Sequence, residues 1–220
     1  MDVDPDRAAW FIHESNLIEK FDASSRSKIR IQLEQKTRPS HVAALLYFSE
    51  IVQLGEPLSR SDLFVVHKQI MREYLSATLD GYDGKDDCDG QIGGWRKTDF
   101  RFNWADPPRW PRVPEVMEKF LARLADFVSK PHGEEEAIDF AADAHHEFIR
   151  IHPFIDGNGR VGRLIANYIL QRFGLPIAVF TAQDAASSYF FATAHETSVI
   201  MRAYLRAKIR IPYVPLSIEQ

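Results

Sequence analysis

One stretch organises this sequence of 220 residues: His152-Pro-Phe-Ile-Asp-Gly-Asn-Gly-Arg-Val-Gly-Arg163. Two glycines flank Asn158, and all three residues tolerate unusual backbone angles, so the middle of the stretch predicts a tight loop. After the loop, apolar residues from Val161 to Ile169 recur at helical spacing, which predicts an amphipathic helix. Before it, the apolar spacing from Ile138 to Ile151 predicts another helix. The stretch is therefore a glycine-bearing loop between two helices.

The residue types in this loop fit a phosphate site. A glycine-bearing loop that opens into a helix aims backbone N–H groups and the positive end of the helix dipole at one point, which favours an anion. Arg160 and Arg163 lie one turn apart, so both side chains can reach the same guest. Asp156 is compatible with a bound phosphate if it holds Mg²⁺, and His152 can take a proton from an incoming hydroxyl. These residues favour phosphoryl or nucleotidyl transfer; the alternative is a plain turn with surface side chains.

Helical periodicity dominates the rest of the chain and predicts an all-α fold. Besides the helix after the loop, the predicted helices cover residues 6–20, 25–36, 41–54, 61–78, 113–128, 134–151, 182–196 and 197–208. The alternation from Trp95 to Trp104 predicts a short strand or β-hairpin. Segment 79–94 is rich in glycine and aspartate and predicts a loop, and its spacing fails the calcium-loop pattern at Lys85 and Arg96.

Composition argues against several classes of protein. Lys plus Arg total 27 against 31 Asp plus Glu, a formal charge of −4, which disfavours a nucleic-acid partner. The apolar runs fall short of the ~20 residues that cross a bilayer, and the acidic N-terminus does not resemble a signal peptide. The single cysteine, Cys88, excludes an internal disulfide and favours a reducing, cytoplasmic location. Its aspartate neighbours disfavour a reactive thiolate.

The complete run from His152 to Arg163 resembles the signature of the Fic family, whose usual reaction transfers AMP from ATP to Ser, Thr or Tyr of a target protein. His146, residues 149–151 and residues 94–96 extend the resemblance to about residues 60–205. The resemblance implies a helical bundle with a small β-hairpin flap near residues 95–104, on which a target protein docks as an added strand. The intact Gly-Asn-Gly favours AMP transfer, because the Doc-like kinases of the family depart from this run.

The resemblance also implies a general base, a Mg²⁺ ligand, an anion hole and two arginines that hold the outer phosphates of ATP. In that order, these are His152, Asp156, the three residues Gly157, Asn158 and Gly159, and Arg160 with Arg163. Phe154 is expected to anchor the loop in the core. Tyr189 falls where the family often has an aromatic residue beside adenine, and a buried core tyrosine is the alternative.

Ser15 and Glu19, four residues apart on the first predicted helix, resemble the inhibitory motif of Fic proteins. Such a glutamate pairs with the second arginine of the run, here Arg163, and displaces the γ-phosphate end of ATP, because a carboxylate can replace a phosphate as partner of a guanidinium. Lys20 departs from the Gly or Asn that is usual there. A solvent-facing Glu19 is the alternative, and in some members the same glutamate supports removal of AMP.

These observations predict three segments: an N-terminal helical segment 1–60 that carries the inhibitory helix, a Fic-like catalytic core 61–208, and a C-terminal tail 209–220. We expect an adenylyltransferase that uses ATP and Mg²⁺, acts on a target protein and is inhibited by Glu19. The alternatives are transfer of UMP, phosphate or phosphocholine on the same site, removal of AMP, and a non-catalytic nucleotide-binding module. The apolar helices of segment 1–60 also suit a homodimer.

Overall fold

The structure is a computed structural model that describes residues 4–19, 29–31, 40–78 and 91–210. These ranges contain eight α-helices: α1 (Pro5–Ile18), α2 (Ser40–Leu54), α3 (Arg60–Thr78), α4 (Val113–Val128), α5 (Glu134–Ile151), α6 (Asn158–Arg172), α7 (Phe190–Ala194) and α8 (Val199–Ile209). Residues 29–31 are also helical. Two short 3₁₀ turns lie at Trp110–Arg112 and Ala182–Asp184, and a π-helical turn lies at Ala185–Tyr189. The predicted all-α class is confirmed.

Local chemistry explains where the first and third helices begin. The Asp4 carboxylate accepts the N–H of Asp6 (3.0 Å), and Pro5 occupies the first turn of α1, where its missing N–H costs nothing. At α3, Asp62 accepts the N–H of Ser59 (2.8 Å), and the Ser59 hydroxyl accepts the N–H of Asp62 (3.3 Å). This reciprocal pair satisfies two amides that the helix leaves without acceptors.

Helix α6 is the centre of the bundle. All residues from Arg160 to Leu170 are buried, including the polar Asn167. Helix α5 packs along it, and α1, α2 and α3 also contact it. A helix that is surrounded on every side needs apolar residues beyond a single stripe, so α6 is more buried than the amphipathic pattern from Val161 to Ile169 predicts. The residues at the start of α6 are therefore held by a rigid core.

Helix α1 belongs to the same core. Ala9, Phe11 and Ile12 are fully buried. Arg7 donates to the carbonyls of Ile177 and Ile209, the second at 2.9 Å, and so ties the start of α1 to the end of α8. The predicted inhibitory helix is thus packed along most of its length and not merely laid on the surface.

The predicted β-hairpin at residues 95–104 is absent: residues 91–109 are all described and contain no strand. Arg96 explains the difference, since its guanidinium donates to the carbonyls of Thr98 and Pro108, both at 2.6 Å. These side-chain bonds take the place of a strand ladder, and Pro107 and Pro108 have no N–H to offer to one. The apolar residues do alternate along this segment. Their aromatic rings pack against the bundle, and the segment does not form a strand.

Several predictions fall outside the described residues. These are most of helix 25–36, residues 79–90 of the predicted loop with Cys88, Lys20 after the inhibitory helix, and tail residues 211–220. Among the helices within the described ranges, none combines the length and the apolar character needed to cross a bilayer.

Candidate active site

His152 ends α5 in an unusual backbone conformation. Its φ of 51° and ψ of 59° lie in the left-handed region, and no other non-glycine residue in the described ranges has a positive φ. Its N–H still donates to the Phe148 carbonyl (3.0 Å), so the helix closes normally before the chain reverses. Histidine is among the residue types that tolerate this region best. The reversal leads directly into loop 153–157.

The His152 ring is held so that one nitrogen can act as a base. Nδ1 lies 3.2 Å from the Ile149 carbonyl, which only accepts, so Nδ1 carries the proton and Nε2 keeps its lone pair. Burial, assisted by the positive charge of Arg96, lowers the pKa of His152 below the usual 6.5. The ring is therefore neutral near pH 7 and able to accept a proton.

Aromatic side chains of segment 91–109 shield His152 from water. The ring centroids of Phe100 and Phe102 lie 5.4 and 4.8 Å from that of His152, both edge-on. Phe102 in turn stacks on Trp104, with ring centroids 4.9 Å apart. This cluster explains why a histidine at the end of a helix is desolvated.

Loop 153–157 is anchored by Phe154 and Asn158. The Phe154 side chain is fully buried in the core, as predicted. The Asn158 side chain accepts the N–H of Phe154 and donates to its carbonyl, both at 2.9 Å. A side chain that bonds both the backbone N–H and the carbonyl of one residue replaces the hydrogen bonds that a loop otherwise lacks. The Asn158 side chain thus stabilises the loop conformation, a role that the sequence pattern did not predict.

The start of α6 has the backbone geometry that the predicted anion site requires. Gly157 precedes the helix with a φ of 74°, a conformation that glycine adopts without strain. The first helical hydrogen bond runs from the Val161 N–H to the Gly157 carbonyl (3.0 Å). The amides of Asn158, Gly159 and Arg160 therefore have no acceptor within the helix, and they lie at the positive end of its dipole.

Asp156 lies at the tip of the loop. Its Oδ1 accepts the N–H of Gly157 (2.5 Å). In the described part of the chain, no group of three or more His, Cys, Asp or Glu side chains is placed to hold a metal ion. One carboxylate does fit Mg²⁺ that arrives with a nucleotide, because this ion is usually held by one or two carboxylates together with substrate phosphates. Asp156 suits that arrangement. It does not suit a site in which protein side chains alone surround the metal ion.

Arg160 and Arg163 make their contacts on different helices. Arg160 is buried against α3, where its Nη1 lies 3.5 Å from the Ile70 carbonyl. Arg163 is fully buried and faces α1: its Nε donates to the Ser15 hydroxyl (2.9 Å) and its Nη2 to the Ser15 carbonyl (3.1 Å). Both residues belong to the first turns of α6. Their contacts with phosphates remain predictions.

Glu19 caps the end of α1 and pairs with Arg163. Its Oε1 lies 2.7 Å from Nη2 of Arg163. The Arg163 side chain is fully buried, whereas the Glu19 side chain is 29% exposed, so this pair lies at the edge of the core. The structure thus brings together Ser15, Glu19 and Arg163. Glu19 is paired with Arg163, unlike the solvent-facing Glu19 of the alternative.

Gly159 shows how closely Glu19 approaches α6. A Cβ added to Gly159 would overlap the Glu19 carboxylate and would lie 3.2 Å from Nη1 of Arg163. The carboxylate therefore lies against the first turn of α6, at Gly159. Only glycine leaves room for an anion at this point.

Tyr189 lies at the end of the π-helical turn with 2% of its surface exposed. Its hydroxyl oxygen lies 3.1 Å from Nη1 of Arg163 and 3.1 Å from Nε2 of His145. The ring contacts those of Phe180 and Tyr204. This position matches the core-tyrosine alternative more closely than an adenine-binding ring.

His67 connects the start of segment 91–109 with the loop, a role that the predicted helix 61–78 does not reveal. Its Nδ1 accepts the N–H of Gly93 (2.9 Å), so its Nε2 carries the proton and donates to the Asp156 carbonyl (3.1 Å). The ring stacks on Phe154 with centroids 4.0 Å apart. Burial lowers the pKa of His67 to about 4, which keeps the ring neutral.

Acid is expected to destabilise the fold through His67. Its folded pKa of about 4 lies below the unfolded value of 6.5, so stability falls as the pH drops from 6.5 towards 4. Between pH 7 and pH 5 this one residue should remove about 2 kcal/mol from the free energy of unfolding. Urea unfolding at both pH values measures the loss, which should be about 2 kcal/mol smaller in His67→Gln. An identical pH dependence in the variant would contradict a neutral His67.

Arg96 connects segment 91–109 to the end of α5. Its Nε donates to the His152 carbonyl (2.7 Å), and its backbone N–H donates to the Pro153 carbonyl (2.9 Å). The side chain is almost fully buried. A cation suits this place because the last carbonyls of α5 form the negative end of the helix dipole. Arg96 therefore stabilises the reversal at His152.

A model of the Fic/DOC family matches residues 57–170, more than half of the chain, and this range includes the whole run from His152 to Arg163. The chain belongs to the Fic/DOC family. The predicted family is thereby confirmed.

Curated members of the Fic family resemble parts of the chain. It is 30% identical over 142 residues to the protein adenylyltransferase Fic of Nematostella vectensis, which covers 64% of this chain and 29% of that protein. It is 34% identical over 82 residues to the protein adenylyltransferase Fic of Drosophila willistoni, which covers 37% of this chain and 16% of that protein. The chain thus spans less than a third of the length of these relatives.

Solved Fic structures share the fold. A Fic-domain-containing signalling protein from Bacteroides thetaiotaomicron has a TM-score of 0.70 at 19% identity, over 93% of this chain and 84% of that chain. Fic-1 from C. elegans has a TM-score of 0.61 at 20% identity, over 91% and 59%. The effector BepC from Bartonella tribocorum, solved with bound AMPPNP, has a TM-score of 0.54 at 17% identity, over 81% and 87%.

Proposed function

We propose that this chain is a protein adenylyltransferase that moves AMP from ATP to a hydroxyl of a target protein, and that Glu19 inhibits it. The observation that carries the proposal is the Glu19 carboxylate, which pairs with Arg163 (2.7 Å) against the first turn of α6. An anion already lies where a nucleotide phosphate would be held. The names of the curated relatives support the same reaction.

In the proposed reaction, the hydroxyl oxygen of a Ser, Thr or Tyr attacks the α-phosphorus of ATP. His152 Nε2 takes the proton of that hydroxyl, because Nδ1 is already protonated and bonded to the Ile149 carbonyl. The new oxygen–phosphorus bond forms as the bond from the α-phosphorus to the bridging oxygen of the β-phosphate breaks. The products are an AMP ester of the target and pyrophosphate.

The residues of the loop and of α6 would hold the phosphates. Amides of the first turn of α6, with Arg160 and Arg163, would stabilise the negative charge that develops on the outer phosphates. Asp156 would hold Mg²⁺, which neutralises phosphate charge when bound. His67 and Asn158 keep the loop in place through their hydrogen bonds to Asp156 and Phe154. In this step, the chain would mainly position the nucleotide and stabilise the negative charge of its phosphates.

Inhibition follows from competition between two anions. The Glu19 carboxylate and a γ-phosphate both suit the guanidinium of Arg163, and they cannot share one place because like charges repel. With Glu19 bound, ATP has to lie in a shifted pose that leaves the α-phosphorus away from the attacking hydroxyl. The isolated chain is therefore expected to be largely inactive.

The target would dock beside segment 95–104, next to His152. This segment lacks a strand here, so docking as an added strand requires its backbone groups to turn towards the target. Exposed Lys97, Arg101 and Asn103 lie along the same segment.

ATP labelled at either the α- or the γ-phosphate tests the reaction. We expect the Glu19→Gly variant, with Mg²⁺, to acquire label on itself or on lysate proteins from α-labelled ATP and not from γ-labelled ATP. Mass spectrometry should then find one adenylyl group on a hydroxyl side chain. Label from the γ-phosphate would indicate a kinase, and absence of both labels would contradict a transferase that uses ATP. Parallel reactions with labelled UTP and CDP-choline test the other two groups.

A further inference from the structure

Arg163 is held from two sides by different elements of the bundle. From α1, Ser15 accepts two of its hydrogen bonds and Glu19 accepts a third. From the other side, the Tyr189 hydroxyl accepts a bond from Nη1 (3.1 Å), and the Tyr189 ring centroid lies 5.5 Å from the guanidinium carbon. If Glu19 leaves, Ser15 and Tyr189 still orient the guanidinium.

The Tyr189 ring has neighbours that leave little room for a nucleobase. His145, Phe180, Phe190 and Tyr204 have ring centroids between 5.4 and 5.9 Å from that of Tyr189. Only 2% of the residue is exposed. The ring is therefore part of the core, and its hydroxyl is the part that reaches the site.

His145 defines the direction of the Tyr189 hydroxyl. Arg163 only donates, so the hydroxyl oxygen accepts from it, and the hydroxyl proton is free to go to His145 Nε2 (3.1 Å). His145 suits this role because burial, and next the charge of Arg163, lower its pKa to about 3 and keep it neutral. The result is a directed chain of hydrogen bonds from Arg163 through Tyr189 to His145.

We infer that Tyr189 is a positioning residue for Arg163, which it keeps aimed at the outer phosphates of ATP, and that it does not bind adenine. The inference rests on the proposed function, in which Arg163 holds those phosphates. When ATP displaces Glu19, the guanidinium exchanges one anion for another while its bonds to Ser15 and Tyr189 remain. A guanidinium that is already oriented loses less freedom on binding, so the phosphate is bound more tightly.

Binding of ATP and of AMP separates this role from an adenine contact, because AMP lacks the outer phosphates. We would measure both by titration calorimetry with Mg²⁺ in a Glu19→Gly, His152→Ala background, which removes the competing carboxylate and prevents turnover. Tyr189→Phe should weaken ATP about three- to ten-fold, the effect of one hydrogen bond, and should change AMP less than about two-fold. Tyr168→Phe is the matched control, since that buried hydroxyl donates to the Glu56 carbonyl (3.0 Å).

A double-mutant comparison shows whether Tyr189 acts through Arg163. With Arg163→Ala present, Tyr189→Phe should have no further effect on ATP affinity. Equal weakening of ATP and AMP by Tyr189→Phe, or no weakening of either, would overturn the inference. If Arg163→Ala itself leaves the preference for ATP over AMP unchanged, the proposed role of Arg163 fails first. Thermal melts of each variant exclude a general loss of folding.

Discussion

Replacement of His152 by alanine is expected to lower the rate of AMP transfer by a factor of about 10²–10⁴, the usual contribution of a general base. The reason is geometric: Nε2 is the unprotonated nitrogen, since Nδ1 donates to the Ile149 carbonyl. A neutral ring at pH 7 follows from its burial, which lowers its pKa. ATP affinity should hardly change, because in the proposed reaction the phosphates are held by α6 and its arginines.

Initial rates of self-labelling from α-labelled ATP measure this loss in a Glu19→Gly background, with ATP affinity determined separately. His132→Ala is a suitable control, because His132 lies between α4 and α5 and packs on Phe127, with ring centroids 3.8 Å apart. Its rate should equal that of the background. A His152→Ala variant that kept more than about a tenth of the rate would fall outside the range for a general base.

Removal of the Glu19 carboxylate is expected to produce the second largest effect, a gain in activity. A hydrogen bond between charged groups contributes about 1.5–3 kcal/mol, which corresponds to a factor of about ten to one hundred in the availability of Arg163. Glu19→Gly should therefore self-label about ten to one hundred times faster than wild type. Glu19→Gln keeps the length but not the charge, so its rate should lie between the two.

Glu14→Gln is the matched control for this gain. Glu14 lies on the same helix, and its carboxylate accepts the indole N–H of Trp10 (3.2 Å) and the amide of Ala182 (2.8 Å), whereas Arg163 bonds to Ser15 and Glu19. It should stay as inactive as wild type. If Glu14→Gln activated the enzyme as much as Glu19→Gly, general loosening of α1 would explain the gain, and the specific anion competition would be wrong.

Prediction from the sequence succeeded where short-range chemistry decides. Helix 6–20 is observed at Pro5–Ile18, and helix 41–54 at Ser40–Leu54, because caps and apolar spacing lie within the segments themselves. It failed at residues 95–104, where alternation predicted a hairpin. There the Arg96 side chain donates to the carbonyls of Thr98 and Pro108. Hydrogen bonds of this kind cannot be recognised from the spacing of apolar residues.

The functional loop shows the same division. The predicted anion site needs only Gly157, the amides of the first helical turn and the positive end of a helix, all within a few residues. By contrast, the sequence did not reveal that Asn158 bridges Phe154 or that His67 holds the loop from α3. His67 is an ordinary polar residue of a predicted helix until packing brings its partners within hydrogen-bond distance, and Asn158 reaches Phe154 only once the loop has turned back on itself.

By itself, the sequence therefore determined the helical class, the family and the loop that presents amides and a histidine, since each depends on neighbours along the chain. The resemblance predicted that Glu19 pairs with Arg163, and only the tertiary structure decided which other side chains hold that guanidinium. Glu19 reaches it across 144 residues of sequence and Tyr189 across 26, and the Tyr189 ring turned out to be core. Which side chains meet a buried guanidinium depends on how α1 and the π-helical turn pack against α6, and no local pattern encodes that packing.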